Sequence, residues 1–256
     1  MENWRSFSDE KMESSSQQLG FECGEIQSQG PNIQFTPQPR QRLRNTTLAM
    51  KPLYTIENNM RIYDFKACLE YLQANGKQKY GDHFKIQKED FVLIRKLICY
   101  AIRDEEVCQK YDIDFNKGIL LLGPVGSGKT SLMHLIRDFF PRFYRPIIKS
   151  TREISYEFNQ EGYATIDKYG KSDKIYCFDD LGVESTLKHY GNECNTLGEI
   201  ILSRYDQFIQ FGTITHVTTN LNSVELEKMY GVRVRSRLRE MFNLITFPKE
   251  TQDKRK

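Results

Sequence analysis

The chain has 256 residues, of which 39% are hydrophobic and 28% charged, and its formal net charge at pH 7 is +3. This length allows one or two domains, and no apolar run reaches the roughly 18 residues that span a membrane. The small positive charge permits nucleic-acid binding without indicating it, because a basic binding face usually raises the pI of a domain above about 9.

The N-terminal residues and the cysteines indicate a cytoplasmic protein. The first residues lack the apolar stretch of a secretory signal peptide. The six cysteines form no Cys-x-x-Cys pair and no zinc-finger spacing. We therefore expect reduced, structural thiols in the cytoplasm, where disulfides are rare.

Residues 1–51 are predicted to form a disordered arm. They hold few aliphatic residues and many Ser, Gln, Asn and Pro, so they cannot bury enough apolar surface to offset the entropy lost on ordering. Three arginines lie near the end of the arm: Arg40, Arg42 and Arg44. A solvated linker accounts for this composition, and a segment that binds a partner or nucleic acid is the alternative.

The next segment, residues 52–113, is predicted to be a small helical region. Apolar residues from Ile62 to Leu72 recur at helical spacing. Asn75-Gly76 is predicted to end that helix, because glycine readily takes the left-handed conformation found after a helix. A second apolar stripe runs from Phe91 to Ala101. The region is too small for much of a core alone, so we expect it to pack on the domain that follows.

Residues 114–249 alternate short apolar runs with amphipathic segments, which is the pattern of a parallel sheet covered by helices on both faces. Strands are expected at 118–122, 146–149, 175–178, 213–218 and 244–247. Helices are expected at 130–140, 152–158, 197–211 and 232–242. The predicted fold class is therefore α/β with a five-stranded parallel sheet. Residues 250–256 are expected to be a charged tail that is too short for a C-terminal helical lid.

The residues between the first predicted strand and helix of this domain match the phosphate-binding pattern G-x-x-x-x-G-K-[ST] completely. They are Gly123, Pro124, Val125, Gly126, Ser127, Gly128, Lys129 and Thr130. Such a P-loop turns backbone N–H groups inward around phosphate oxygens, beside the positive end of the following helix. The lysine is expected to reach the β- and γ-phosphates and the threonine to bind Mg²⁺. The strand before and the helix after the loop separate it from an ordinary glycine-rich turn.

A pair of carboxylates follows the third predicted strand of the domain. Asp179 is predicted to lie on the Mg²⁺ side of the site, and Asp180 to orient or deprotonate the attacking water. A turn or helix cap is the alternative interpretation of the pair. The carboxylates lie about fifty residues after the P-loop, in the required order. Together the two motifs predict an enzyme that binds ATP and Mg²⁺ and hydrolyses the ATP.

GTPases and small-molecule kinases are the rival classes of P-loop protein. GTPases read guanine with Asn-Lys-x-Asp after the loop, whereas Asn116-Lys117 precedes the loop here and lacks the aspartate. Small-molecule kinases rarely need an Asp-Asp pair on the third strand, and no cluster of lid arginines is evident. ATP hydrolysis is therefore the favoured activity.

Two further polar features follow the fourth predicted strand. Asn220 ends that strand beside the expected γ-phosphate, where it is predicted to hold the hydrolytic water; an asparagine in a turn is the alternative. The next helix carries two pairs of arginines at a spacing of four on either side of an apolar stripe, Arg233 with Arg237 and Arg235 with Arg239. Arginine suits bidentate binding of phosphate, and a solvated surface helix is the alternative.

These motifs resemble those of DnaC/IstB-type AAA+ ATPases, the group of bacterial helicase loaders and transposition helper proteins. The matching stretches are 118–130, 178–182, 204–205, 218–221 and 231–238. The resemblance spans roughly residues 114–248 and implies a strand order of 5-1-4-3-2. It also implies that Asn220 is sensor 1, that Arg237 is an arginine finger, and that Arg233 contacts phosphate or a subunit interface.

The resemblance implies an ATP-dependent loader that assembles as a homo-oligomer, binds single-stranded DNA and acts on a replicative helicase. An IstB-like helper that recruits a transposase is the first alternative, and a nucleotide-gated binding module with little turnover is the second. Asp180 stands where most AAA+ proteins have glutamate, which predicts slow hydrolysis. The few residues after the fifth strand argue against a DnaA-type initiator, which carries further domains there.

Overall fold

The computed structural model describes residues 52–57, 60–183, 187–189, 192–248 and 250–254. The predicted arm, residues 1–51, lies outside these ranges and stays a prediction. Within them, no helix is long and apolar enough to cross a membrane.

The N-terminal region begins with an antiparallel hairpin, β1 (Tyr54–Glu57) and β2 (Met60–Tyr63), before helix α1 (Phe65–Tyr80). The helical prediction is therefore wrong at its start, because Ile62 lies in β2. Asp64 separates the two elements, since its Oδ1 accepts hydrogen bonds from the first backbone N–H groups of α1. The apolar spacing continues across this cap, which conceals the change from strand to helix.

Helix α1 runs through Gly76 and does not end there, contrary to the prediction. A Cβ atom on Gly76 would lie 2.0 Å from Phe84 Cε1, so close packing requires the glycine. The helix ends at Gly81, whose φ of 98° is in the left-handed range. A glycine needed for packing and a glycine that ends a helix look alike in a single sequence, which explains the error.

The remaining helices of the N-terminal region are α2 (Phe91–Ile102) and α3 (Glu105–Lys110). Asp104 caps α3 by accepting a hydrogen bond from Val107 N at 3.0 Å. Helix α3 is one of the elements that apolar periodicity did not predict, because six residues are too few to show a repeat.

Among the described residues after α3, the chain forms seven strands. Their bounds are β3 (Gly118–Leu122), β4 (Ile147–Ser150), β5 (Tyr176–Leu181), β6 (Leu187–His189), β7 (Asn192–Cys194), β8 (Thr215–Thr219) and β9 (Phe242–Thr246). Five of them form a parallel sheet in the order β4-β5-β8-β3-β9, and β6 pairs with β7. This is the predicted order, so the α/β P-loop fold class is confirmed.

Within the described ranges, five α-helices connect these strands. They are α4 (Lys129–Ile136), α5 (Thr151–Glu161), α6 (Tyr163–Gly170), α7 (Thr196–Phe211) and α8 (Ser223–Met241). Helix α6 was not predicted. Helix α8 starts well before the predicted residue 232 and is kinked at Gly231, whose φ is 87° and ψ is 163°. The kink interrupts the apolar period, so only the second half of α8 was recognised.

The sheet is buried on both faces. The N-terminal helices cover one face, where Leu72 packs in the same cluster as Leu121. Helices α5, α7 and α8 cover the other face, where Ile201 and Leu238 pack with Phe178. Because both faces are covered, a ligand can reach the sheet only at the ends of the strands, and in open α/β sheets ligands bind at the carboxyl ends.

A fully buried arginine fixes the beginning of two central strands. Arg204 on α7 donates to the carbonyl oxygens of Ser172, Lys174 and Ile214 and to Thr215 Oγ1. Burial lowers the pKa of Arg204 to about 10, so the side chain stays charged at neutral pH. In this chain Arg204 therefore ties α7 to the segments before β5 and β8.

Candidate nucleotide-binding site

The P-loop lies at the carboxyl edge of the sheet, between β3 and α4. Gly126 and Gly128 have φ angles of 78° and 94°, which glycine adopts without steric cost. Helix α4 begins at Lys129, directly after the loop, so its N-terminal N–H groups adjoin the loop. Backbone N–H groups at a helix N-terminus and the positive end of the helix dipole together favour an anion there.

The lysine of the P-loop is buried. Its Nζ donates to Gly123 O at 2.8 Å and to Pro124 O at 3.0 Å. Neutral carbonyls satisfy the ammonium only partly, because a charge-assisted bond to an anionic oxygen is stronger. Lys129 therefore supplies a positive charge inside the loop that suits an incoming phosphate.

Asp179 lies next to Thr130 at the end of β5. Thr130 Oγ1 donates to Asp179 Oδ1 at 3.1 Å, and Thr218 Oγ1 donates to the same oxygen at 2.7 Å. Burial raises the pKa of Asp179, while the hydrogen bonds from Thr218 and Thr130 act in the opposite direction. The structure thus brings together the two residues that were predicted to lie on the metal side.

A carboxylate and a hydroxyl are the hard oxygen donors that Mg²⁺ prefers. Within the described ranges, no group of three or more His, Cys, Asp or Glu side chains forms a metal site by itself. Mg²⁺ commonly completes its shell with water and phosphate oxygens and needs only one or two protein ligands. Asp179 and Thr130 therefore fit a Mg²⁺ ion that arrives with a nucleotide.

Asp180 has a backbone conformation that is uncommon for a residue other than glycine, with a φ of 61°. Its N–H donates to Thr218 Oγ1 at 2.9 Å, and Thr151 Oγ1 donates to its carbonyl oxygen at 2.8 Å. A register shift in the pairing of β5 with β8 lies at the same point. At this irregularity in β5, Asp180 lies beside a cavity, while Asp179 stays buried beside Thr130.

A cavity of about 560 Å³ opens beside the P-loop. Its volume is within the range usual for small-molecule sites. The predicted site residues that line it are Val125, Gly126, Gly128, Lys129, Thr130, Asp180 and Asn220. The P-loop, the second carboxylate and the asparagine that directly follows β8 therefore share one cavity.

One wall of this cavity was not found from the sequence. Tyr80, His83, Phe84 and Lys85 line it from the end of α1 and the loop after it. The rings of Tyr80 and Phe84 stack with their centroids 5.7 Å apart. Aromatic surface suits a nucleobase, but no local pattern connects these residues with a P-loop forty positions later. Arg152 also lines the cavity and was not predicted.

The two predicted arginines do not line this cavity in a single chain. Arg237 lies over the ring of Tyr205, with Cζ 4.0 Å from the centroid, and forms an ion pair with Glu240 at 3.6 Å. Tyr205 OH donates to Glu240 at 3.0 Å. Arg233 is exposed on the same helix. Their predicted contacts with phosphate or with a neighbouring subunit stay predictions.

The combination of the parallel sheet order with this loop decides the fold class. The part of the chain from β3 to β9 has a P-loop NTPase fold. No family model matches the sequence, and no curated protein matches it. Solved structures are similar to the chain in fold.

The DnaC helicase loader is one solved structure to which the chain is similar, with 18% identity, a TM-score of 0.43, and coverage of 65% of this chain and 95% of that chain. DnaI has 18% identity and a TM-score of 0.45 over 66% of this chain and 90% of that chain. AMPPCP-bound DnaA from Aquifex aeolicus has 17% identity and a TM-score of 0.42 over 66% of this chain and 50% of that chain.

Replacing Asp179 with asparagine is expected to leave the ligand-free protein at least as stable as the wild type. Both threonine hydroxyls donate to Oδ1, an oxygen that asparagine keeps, while the buried charge disappears. Because the pKa of Asp179 is raised in the folded state, the charge costs stability above that pKa and the cost vanishes as the pH falls below it. The advantage of the variant should therefore shrink at acidic pH.

Thermal unfolding at neutral and mildly acidic pH measures this difference. Asp206→Asn, at an exposed position on α7, is the matched control and should change little at either pH. A lower melting temperature for Asp179→Asn than for the wild type at neutral pH would show that the carboxylate stabilises the fold and is not held there at a cost.

Proposed function

We propose that the chain is an ATPase in which ATP binding assembles subunits and hydrolysis releases what the assembly holds. The observation that carries the proposal is the single cavity lined by Lys129, Thr130, Asp180 and Asn220. The P-loop and a candidate base line this cavity, and Asp179 lies beside Thr130; these groups support the proposal because hydrolysis of a nucleoside triphosphate uses a phosphate cradle, a metal side and a base.

The phosphates are proposed to lie against the P-loop, with Lys129 turning from its carbonyl partners towards the β- and γ-oxygens. Thr130 and Asp179 are the proposed ligands of Mg²⁺. Bound there, the ion neutralises charge on the phosphate oxygens. The base of the nucleotide is proposed to lie beside the stacked rings of Tyr80 and Phe84, whose aromatic surface is the part of the cavity best suited to it.

Asp180 is proposed to accept the proton of the attacking water, and Asn220 to hold that water in place. Both side chains are half-buried and line the same cavity. The backbone of Asp180 is held from two sides by Thr151 and Thr218, which favours the precise placement that general-base catalysis needs. Aspartate is one methylene shorter than glutamate, so we expect slow turnover.

Arg237 is proposed to complete the site of a neighbouring subunit. It does not line the cavity of its own chain, and its side chain is 34% exposed, held by Tyr205 and Glu240. A cation that reaches the γ-phosphate in this way increases the rate by roughly 10³ to 10⁵ in other P-loop enzymes. A homo-oligomer is therefore the proposed active unit, and Arg233 a second residue at its interface.

The proposed partners are single-stranded DNA and a replicative helicase. This part of the proposal rests on the resemblance of the motifs to helicase loaders. The chain has a net charge of only +3, so the phosphate contacts that bind DNA would have to be summed over several subunits. A transposase in place of the helicase is the second candidate, and a binding module with little turnover is the third.

Fluorescence anisotropy with labelled single-stranded DNA tests the proposed function. We expect binding in the presence of Mg²⁺ and a non-hydrolysable ATP analogue, little binding without nucleotide, and steep weakening with salt because counterions are released. Arg237→Ala should bind the analogue yet hydrolyse ATP far more slowly. Absent or salt-independent binding would contradict the DNA-handling role.

A pull-down with a hexameric helicase and with a transposase, each offered with the ATP analogue, distinguishes the two proposed protein partners. Retention of the helicase alone supports the loader, and retention of the transposase alone supports the transposition helper. Nucleotide-dependent retention of either, with phosphate release no faster than in a blank, supports the binding module.

A further inference from the structure

Asp253 and Lys254, near the end of the described chain, lie in direct contact with the P-loop. Lys254 N donates to Gly126 O at 3.0 Å. A Cβ atom on Gly126 would lie 2.1 Å from Asp253 Oδ1, and one on Gly128 would lie 3.9 Å from Lys254 Cδ. Lys254 also lines the nucleotide cavity. This segment therefore contacts both of the loop glycines that have positive φ angles.

The side chain of Lys254 extends from the loop to the N-terminal region. Its Nζ lies 2.5 Å from Asp90 Oδ2, and the Asp90 side chain is 3% exposed. Asp90 directly precedes α2 and also accepts a hydrogen bond from Gln87 N at 3.2 Å. A buried carboxylate needs a partner cation. The ion pair therefore fixes the position of residue 254 relative to α2.

The bond from Lys254 acts at Gly126, one of the two loop glycines with a positive φ angle. The Gly126 carbonyl and the Ser127 N–H belong to one planar peptide and point in opposite directions. With the carbonyl held by Lys254, the Ser127 N–H faces Pro124 O across the loop at 3.3 Å. Glycine loses more freedom on ordering than any other residue. A bond from outside the loop removes part of that freedom before a ligand arrives.

We propose that Lys254 and Asp90 form a brace that holds the P-loop ready for phosphate, so that both are positioning residues for nucleotide binding. The proposal rests on the proposed function and adds two residues outside the phosphate-binding motif. The brace acts on the loop backbone, which contacts the phosphates that ATP and ADP share. Loss of the brace therefore lowers the binding affinities for ATP and ADP by the same factor.

Titration of fluorescent ATP and ADP into wild type, Lys254→Met, Asp90→Asn and the double variant tests the brace. We expect each single variant to lose affinity roughly tenfold, which corresponds to the cost of ordering one backbone residue. The affinity of the double variant for nucleotide should fall no further than that of either single variant. Lys171→Met, at an exposed lysine that directly follows α6, is the matched control and should bind like the wild type.

Amide hydrogen exchange at residues 126–128 without nucleotide is the second measurement. Exchange should be faster in Lys254→Met than in the wild type or the control, and this comparison stands even where nucleotide binding fails. The double variant leaves no unpaired buried charge, so it keeps the test valid where a single variant unfolds.

If a folded Lys254→Met protein showed wild-type nucleotide affinity and wild-type amide exchange, the brace proposal would be overturned while the proposed function would stand. A loss confined to ATP would also overturn it, because it would indicate a direct contact of Lys254 with the γ-phosphate. A wild-type protein that binds neither nucleotide would contradict the proposed function, and the exchange comparison would then decide separately whether Lys254 orders the loop.

Discussion

Replacing Lys129 with alanine is expected to weaken ATP binding by roughly two orders of magnitude and to leave the fold intact. The loss follows from the removal of charged hydrogen bonds to phosphate, each of which contributes about 1.5–3 kcal/mol. The fold should persist because Lys129 lies at the junction of the loop and α4, outside both apolar clusters, and alanine is a good helix former.

Calorimetric titration with ATP and Mg²⁺ measures the affinity, and circular dichroism with thermal unfolding checks the fold. Lys171→Ala, at an exposed lysine that directly follows α6, controls for the loss of one positive charge. Equal ATP affinity in folded Lys129→Ala and wild type would mean that the loop does not hold the phosphates.

Replacing Asp180 with asparagine is expected to keep ATP bound and to slow its hydrolysis by about 10² to 10⁴, the usual contribution of a general base. Asparagine has nearly the same shape but cannot accept the proton of water. The backbone of Asp180 is held by Thr151 and Thr218, so the turn does not depend on the carboxylate. Asp179 remains in place beside Thr130.

Single-turnover phosphate release measures this change, with ATP affinity determined on the same preparation. Asp206→Asn is the matched control for removal of a carboxylate. A normal rate of hydrolysis in Asp180→Asn would mean that the Asp-Asp pair has a structural role and that another group activates the water.

The sequence is most informative about the fold where a segment is buried on both faces. Gly118–Leu122 is a run of this kind, and its predicted ends coincide with those of β3. The hairpin β1–β2 was missed because its four-residue strands are too short for an alternating pattern. Gly76 misled the prediction because the reason for that glycine is the ring of Phe84, a tertiary contact.

Part of the candidate site could likewise be predicted from the sequence, and part could not. The juxtaposition of Thr130 with Asp179 could be predicted, because a P-loop and a strand-ending carboxylate are brought together by the order of the parallel strands. The wall formed by Tyr80 and Phe84 could not, since it comes from a different region and has no motif. Lys254 donates to the loop through a backbone N–H, which every residue except proline carries, so no sequence signal marks this contact.

The most direct test of the claim that this cavity hydrolyses ATP is phosphate release by purified wild-type protein with and without Mg²⁺, measured beside Asp180→Asn and Lys129→Ala. We predict slow release that requires Mg²⁺, that rises with protein concentration as subunits assemble, and that both variants lose. Release at the wild-type rate in both variants, or a wild-type protein that neither binds nor hydrolyses ATP at any concentration, would contradict the account.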